Sequence, residues 1–410
     1  MALVVQKFGG TSVADPDRMR EVADHVARTR KRGDEVVLVV SAMGKETDEL
    51  LRLAHQVSTA PAGREMDMLI TAGERKATAL VSMALHDLGV PAESFTGSQA
   101  GFVTDTNHMN AKILEVRPDR IREAVAAGRV PVVGGSQGVS TDRNVTFFGR
   151  GGSDTTAVAL AHALGGVCEL YTDVSGVFTT DPRVVPEARR LSRVSFDEML
   201  EMTACGCPKP AMRAVEYART HKVPLHVRSA FTWEPGTWID EEDPMMEQAM
   251  VSGVVSDASE AKITLTNLPD QPGVAAQLFR SLSDRQVNVD MIVQNVSEGG
   301  RTDISFTLPK TDLPTGREIS EALAAAIGAD AVTADDGIGR VSLVGAGMKS
   351  HPGVAASVFE TLAANGINIE MISTSAIRIS CIIREVELDR AVTVLHASFG
   401  LDQPPATSGS

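Results

Sequence analysis

The sequence predicts an α/β protein in two parts: a mostly parallel sheet sandwiched by helices, followed by two copies of a smaller βαββαβ unit. Three observations predict this. Strand-length apolar runs alternate with amphipathic helical segments as far as residue 240. An acidic stretch containing methionine and proline then interrupts the pattern at 240–250. Beyond it the chain repeats itself at a shift of 80 residues, Pro272 matching Pro352.

In the first part, the runs at 3–8, 35–41, 130–134 and 169–172 read as buried strands, being short, apolar and bounded by turn residues. The segments 16–32, 48–56, 71–88, 117–127 and 154–164 carry helical periodicity. Strand followed by helix, repeated, implies parallel strands with helices on both faces. This assigns 1–240 to a catalytic domain. The acidic stretch after Trp233-Glu234-Pro235-Gly236 leaves 241–248 as a linker.

In the second part, Pro272-Gly273-Val274-Ala275-Ala276 recurs as Pro352-Gly353-Val354-Ala355-Ala356. At the same shift Phe279, Leu282, Asn288, Met291 and Ile292 return as Phe359, Leu362, Asn368, Met371 and Ile372. A gapless repeat of this kind marks a duplicated supersecondary unit. Each unit reads strand, Pro-Gly turn, helix, strand, strand, helix. The first, 262–337, closes with a strand at 331–336, whereas the second runs from its last helix at 388–399 into a flexible tail at 403–410. An orphan strand at 249–256 precedes the first unit and supplies the missing strand. The second unit is therefore 249–257 plus 338–402, with the first inserted within it.

Composition excludes several functions. Of 410 residues, 43% are hydrophobic and 22% charged, as in ordinary globular proteins. No apolar run reaches the roughly 18–20 residues of a membrane span. The first residues enter a strand without the pattern of a signal peptide, so a cytoplasmic protein with no membrane partner is expected. A net charge of −14 offers no basic footprint for nucleic acid. Cys205-Gly206-Cys207 lacks a second Cys or His pair and reads as structural, leaving any metal site unknown.

Three glycine-containing turns carry the chemistry. Lys7-Phe8-Gly9-Gly10-Thr11-Ser12 ends the first strand, Ser41-Ala42-Met43-Gly44 ends the next, and Gly149-Arg150-Gly151-Gly152-Ser153-Asp154 opens a helix. Glycine lets the backbone approach an anion, and a helix N-terminus offers it free N–H groups. One such turn alone is better read as a plain connection. Three at the carboxyl ends of strands point to a phosphate-binding edge. Lys7 is the natural charge for a transferring phosphoryl group. Neither a P-loop nor the protein-kinase signature set occurs. Glu74 and Arg150 mean nothing on a solvent face, but paired across a cleft they would hold an ammonium and a carboxylate, both present in an α-amino acid.

Val5-Gln6-Lys7-Phe8-Gly9-Gly10-Thr11-Ser12-Val13 resembles the opening motif of the aspartate kinases. Thr71-Ala72-Gly73-Glu74-Arg75, Phe95-Thr96-Gly97-Ser98-Gln99-Ala100-Gly101, the turn at 149–154 and Tyr171-Thr172-Asp173-Val174 with Asp181-Pro182-Arg183 resemble later motifs of that family in the same order. The repeats are similar to its ACT domains, which are ferredoxin-like βαββαβ units. The resemblance covers essentially the whole chain. It implies an amino-acid-kinase-type fold and phosphorylation of the side-chain carboxylate of L-aspartate by ATP with Mg²⁺, the first step towards lysine, threonine and methionine. By the same resemblance Lys7 and Asp154 would be catalytic, and Gly9 and Gly10 would bind ATP together with Lys7. Ser41, Thr47, Glu74, Arg150 and Ser153 would hold aspartate. Thr172, Asp173, Phe178 and Arg183 would line the nucleotide pocket. Asp270, Gly273, Ala275, Gln294, Ser297, Thr374 and Ser375 would bind an amino-acid effector, threonine or lysine, with Thr302 also linked to feedback sensitivity. A homo-oligomer through the ACT domains is the corresponding expectation.

The sequence departs from the family at the nucleotide edge. Where a lysine normally follows Gly-Ala or Gly-Ser, it reads Gly206-Cys207-Pro208-Lys209-Pro210, which leaves Lys209 one place late as the ATP-binding lysine. Gly135-Ser136-Gln137-Gly138 replaces Gly-Phe-Gln-Gly, and Ala376 stands where an acid is common. Two alternatives follow: a catalytically weak kinase fold kept as an amino-acid-binding regulatory subunit, or a kinase for an aspartate analogue.

Overall fold

The computed structural model describes residues 2–241, 251–295, 299–351 and 353–403, which form two compact units. In chain order the first contains β1 (Leu3–Phe8), α1 (Pro16–Lys31), β2 (Glu35–Val40), α2 (Glu46–Val57), α3 (Gly63–Asp87), β3 (Ala92–Phe95), β4 (Phe102–Thr104), β5 (Ile113–Val116) and α4 (Asp119–Ala126). It continues with β6 (Val130–Gly134), β7 (Gln137–Ser140), β8 (Val145–Phe147), α5 (Gly152–Leu164), β9 (Val167–Thr172), β10 (Arg193–Ser195), α6 (Phe196–Ala204), α7 (Met212–His221), β11 (Leu225–Ser229) and β12 (Thr237–Asp240).

Eight strands form one sheet in the order β10-β12-β11-β9-β1-β2-β6-β3, parallel except for β11 against β12. Its central strands are apolar on both faces because helices cover both. In β2 every residue after Glu35 is buried. One face packs Phe8, Leu38, Val40 and Val132 against Val22 and Val26 of α1 and Ala77 and Val81 of α3. The helix α5 is buried at every position from Gly152 to Ala161, as expected of a helix with no charged face beyond its first turn.

Several boundaries differ from those expected. The helix expected at 71–88 begins at Gly63 and that expected at 48–56 at Glu46, because polar first turns hide helix starts. A second sheet, β5-β4-β7-β8, was not expected from the pattern. Its strands of three and four residues are too short to show a period of two.

The second unit contains β13 (Gly253–Asp257), β14 (Glu260–Pro269), α8 (Val274–Asp284), β15 (Ile292–Gln294), β16 (Arg301–Pro309), α9 (Leu313–Ile327) and β17 (Ala331–Asp335). It ends with β18 (Ile338–Val344), α10 (Val354–Ala364), β19 (Met371–Thr374), β20 (Arg378–Arg384) and α11 (Leu388–Ser398). Two antiparallel sheets result, β15-β16-β14-β17 and β13-β18-β20-β19. The strand that precedes the first repeat thus pairs with β18 and completes the sheet of the second. Each repeat has its own core, built on Ile263, Leu278 and Phe306 in one and on Val341, Val358 and Leu395 in the other. Met291 and Met371, equivalent positions of the two repeats, meet in one small apolar cluster with Ile338 and Ile382.

Two segments from the first 240 residues pack as parts of this second unit. They are Thr179–Arg189, whose Val185 joins the core of the second repeat, and Cys205–Cys207. Most of the linker assigned to 241–248 lies outside the described residues, as do the start of the strand expected at 249–256 and all of the tail after Gln403.

Candidate active site

Parallel strands bring their carboxyl ends to one edge of a sheet, where open α/β sheets bind ligands. Here β1 and β2 run in register to Phe8 opposite Val40, so their following turns lie side by side. The Gly44 N–H donates to the Gly10 carbonyl over 3.0 Å. A methyl group built on Gly10 would stand 2.9 Å from the Ala42 carbonyl oxygen, so the close approach of the two turns requires glycine there. The third turn ends at Gly151, which has φ +74° and starts α5.

Lys7 on β1 and Asp154 in the first turn of α5 meet at this edge. Lys7 Nζ lies 2.7 Å from Asp154 Oδ1, and both side chains are buried. Asp154 Oδ2 accepts from the Ala211 backbone N–H over 3.1 Å. Burial opposes ionisation of Asp154, but the charge and hydrogen bond of Lys7, the charge of Lys209 and the Ala211 N–H outweigh it and hold its pKa below the ordinary value. Lys7, Asp154, Tyr171, Thr172 and Lys209 line one narrow cavity. Lys209, one place later than the family pattern, is thus at the cavity despite its exposed outer side. Thr172 Oγ1 donates to Asp173 Oδ1 over 2.9 Å, and Phe178 is half-buried beyond them.

Glu74 lies on α3 with 3% of its surface exposed. Burial pushes its carboxyl up to about 7; backbone N–H groups, including that of Ala42, counteract this in part, and the charge of Glu46 adds to it. Ser41 Oγ donates to Ser153 Oγ over 3.0 Å, joining the end of β2 to the start of α5. Thr47 is half-buried in the first turn of α2. Arg150 extends into solvent with its side chain 90% exposed, and its guanidinium donates to Asp48 over 3.2 Å. Lys7, Gly9, Gly10, Ser41, Ser153 and Asp154 are thus brought to the ends of β1 and β2 and the start of α5.

Arg183 belongs to the segment packed with the repeats, and its guanidinium is bound to Asp181, with Nη2 2.6 Å from Oδ2. Among the expected effector residues, Asp270 is exposed and its backbone N–H donates to the Gly300 carbonyl. Gly273, at φ +103°, caps α8, with Ala275 in its first turn. Gln294 and Thr374 are exposed at the ends of β15 and β19, equivalent positions of the repeats, and Ser375 follows Thr374. Thr302 is buried and donates from Oγ1 to the Asn295 carbonyl over 2.6 Å. Ser297 lies outside the described residues.

Sequence reasoning passed over Glu46, whose Oε1 pairs with Lys76 at 2.6 Å beside Glu74. It also passed over the Ala211 N–H, for which no side chain gives a signal. Among the described residues no group of three or more His, Cys, Asp or Glu side chains gathers as a metal cage, and no helix is long and apolar enough to cross a membrane.

Comparison with known proteins agrees with this layout. Residues 2–229 match the amino acid kinase family, and 263–319 with 341–399 match an ACT domain. The aspartokinase of Mycolicibacterium smegmatis is 57% identical over 407 residues, covering 98% of this chain and 97% of the relative. The crystal structure of E. coli aspartokinase III in complex with aspartate and ADP, in its R-state, superposes with a TM-score of 0.82 at 25% identity. It covers 97% of this chain and 99% of that one. The T-state of the same enzyme, in complex with lysine and aspartate, gives 0.75 at 25% identity with the same coverage.

Proposed function

The chain belongs to the aspartokinases of the amino acid kinase family, and from that premise we propose how its residues divide the work. The protein is an aspartate kinase: a side-chain carboxylate oxygen of aspartate attacks the terminal phosphorus of the nucleotide, the bond to the nucleoside diphosphate breaks, and an acyl phosphate forms. Such a transfer needs alignment and charge stabilisation more than covalent catalysis. The buried Lys7–Asp154 pair carries the assignment of the reacting end. Lys7 neutralises charge on the moving phosphoryl group, and Asp154 fixes the ammonium group in place. The backbone at Gly9 and Gly10 and the first turn of α5 receive phosphate oxygens.

ATP is the donor, and Mg²⁺ would be its counter-ion. That ion commonly takes one or two carboxylates plus substrate phosphates, and Asp154 is the buried acid suited to it; bound there, it would neutralise phosphate charge. Glu74 holds the aspartate ammonium and Arg150 its α-carboxylate, with Ser41, Thr47 and Ser153 around the acceptor carboxylate. Thr172, Asp173, Phe178 and Lys209 serve the nucleotide. The repeats bind threonine or lysine at Asp270, Gly273, Ala275, Gln294 and Ser297, with Thr374 and Ser375 in the second copy, and join copies of the chain. This regulation requires the effector to prefer one state of the enzyme.

Trapping the acyl phosphate with hydroxylamine tests the reading. Hydroxamate should form only with ATP and aspartate together, and poorly with aspartate analogues. ATP consumption without hydroxamate, or preferential use of an analogue, would reject aspartate as acceptor.

A further inference from the structure

Gln137 belongs to the altered Gly135-Ser136-Gln137-Gly138 turn and has no role in the scheme above. It is 1% exposed at the start of β7. Its Oε1 accepts from the Gly97 N–H over 3.4 Å, while its Nε2 is buried and meets no acceptor. Glu74 Oε2 is the counterpart: buried, an acceptor, and without a donor. Gly134 lies against both side chains. A methyl group built on it would stand 2.8 Å from Gln137 Nε2 and 3.4 Å from Glu74 Cβ.

A buried donor or acceptor left unmade is costly, and native proteins tolerate few of them. Here the Gln137 donor lies beside Gly134, at the end of β6 next to the Ser153 turn, and the Glu74 side chain meets the same glycine through its Cβ. A methyl group built on the adjacent Gly135 would stand 2.4 Å from Ser153 Oγ. An α-amino acid carries the complementary pair, an ammonium donor and a carboxylate acceptor on one carbon.

We propose that Gln137 is a substrate-binding residue whose Nε2 donates to a carboxylate oxygen of the amino-acid acceptor, while Glu74 Oε2 takes its ammonium. The proposal rests on the aspartate kinase reading and adds to it a buried contact. Arg150, exposed and paired with Asp48, meets the same substrate from the solvent side. A neutral amide suits this place because it binds a carboxylate without placing a second cation beside Glu74. Its backbone is held by pairing with Phe147 across β7 and β8, which keeps the donor preorganised.

Two substitutions test it. Gln137→Leu keeps the bulk and removes the donor together with the acceptor of the Gly97 N–H; Gln137→Glu keeps the shape and that acceptor and presents a carboxylate in place of the donor. The KM for aspartate should rise about 10-fold or more in the first and further in the second, the scale of one hydrogen bond to a charged group. The KM for ATP should stay unchanged. The Leu variant removes an unpaired buried donor but also the acceptor of the Gly97 N–H, so without aspartate its melting temperature should change little, and aspartate should raise it less than in wild type. An unchanged KM for aspartate in both variants overturns the proposal. So does a parallel rise in both KM values with a lowered melting temperature, which would make Gln137 a support of the fold. If the Leu variant fails to fold, Gln137→Asn keeps an amide on a shorter stem, and a normal KM for aspartate in it is equally fatal. A wild-type enzyme inactive on aspartate removes the function reading as well, whereas an active one whose Gln137 variants bind aspartate normally removes this inference alone.

Discussion

Lys7 Nζ stands 2.7 Å from Asp154 Oδ1, with both side chains out of water. A buried ion pair is weak evidence for stability, since desolvation offsets attraction, but breaking it from one side is expensive. Lys7→Met should lower stability by about 3–5 kcal/mol and kcat by about 100-fold or more. Lys7→Met combined with Asp154→Asn should regain much of the melting temperature and none of the kcat. A double variant with recovered turnover would make Lys7 structural.

Glu74 gives a dependence on pH. Its folded pKa, about 7, lies above the unfolded carboxylate value, so the folded state holds the extra proton. This contribution to stability is fully present below the unfolded pKa, at about pH 4.5, and is lost as pH rises through about 7. An ammonium requires the ionised form. The KM for aspartate should therefore fall as pH rises from about 6 to about 8, and Glu74→Gln should flatten the curve while raising it. A wild-type KM that does not change over this range would remove Glu74 from the ammonium site.

Arg150→Ala should separate binding from folding. Its pair with Asp48 is solvent-exposed, and such pairs contribute about 0–1 kcal/mol, so the melting temperature should hardly move. The KM for aspartate should rise with kcat less affected, because a carboxylate clamp acts in ground and transition states alike. A rise in the KM for ATP instead would place Arg150 on the nucleotide side.

Lys209 lines the cavity shared by Lys7 and Asp154, in spite of the prolines at 208 and 210. Lys209→Ala should raise the KM for ATP or lower kcat. A silent substitution would show that the one-place shift leaves the nucleotide edge without its lysine.

For the regulatory unit, calorimetry and inhibition curves with threonine, lysine and both should show binding that Asp270→Ala weakens. Lysine should act less strongly than is usual in the family, since Ala376 offers no acid to a basic effector. Strong inhibition by lysine alone, unaffected by Asp270→Ala, would place the effector site elsewhere.

Much of the site is legible along the chain because its turns are local. The backbone needs glycine at Gly10 and Gly151, and that need is written beside the strand or helix each turn serves. The repeat is legible for a similar reason, since equivalent core positions such as Met291 and Met371 recur at a constant shift. Arg150 and Arg183 show what such reading leaves out: both were assigned to ligands by motif, and the fold also sets each guanidinium against a neighbouring aspartate, which no motif records.

The sequence by itself determined the main strands and helices of the parallel sheet, the duplicated unit and the need for glycine in the turns at the strand ends. Each depends on periodicity or backbone freedom within a few residues. Only the tertiary structure decided that Lys7 meets Asp154, that burial, with the charge of Glu46 adding to it, raises the pKa of Glu74, and that Gln137 shares Gly134 with Glu74. It alone showed Val185 in the core of the second repeat. These relations join residues far apart in the chain. They arise from which apolar faces bury against one another, and no local pattern records that choice.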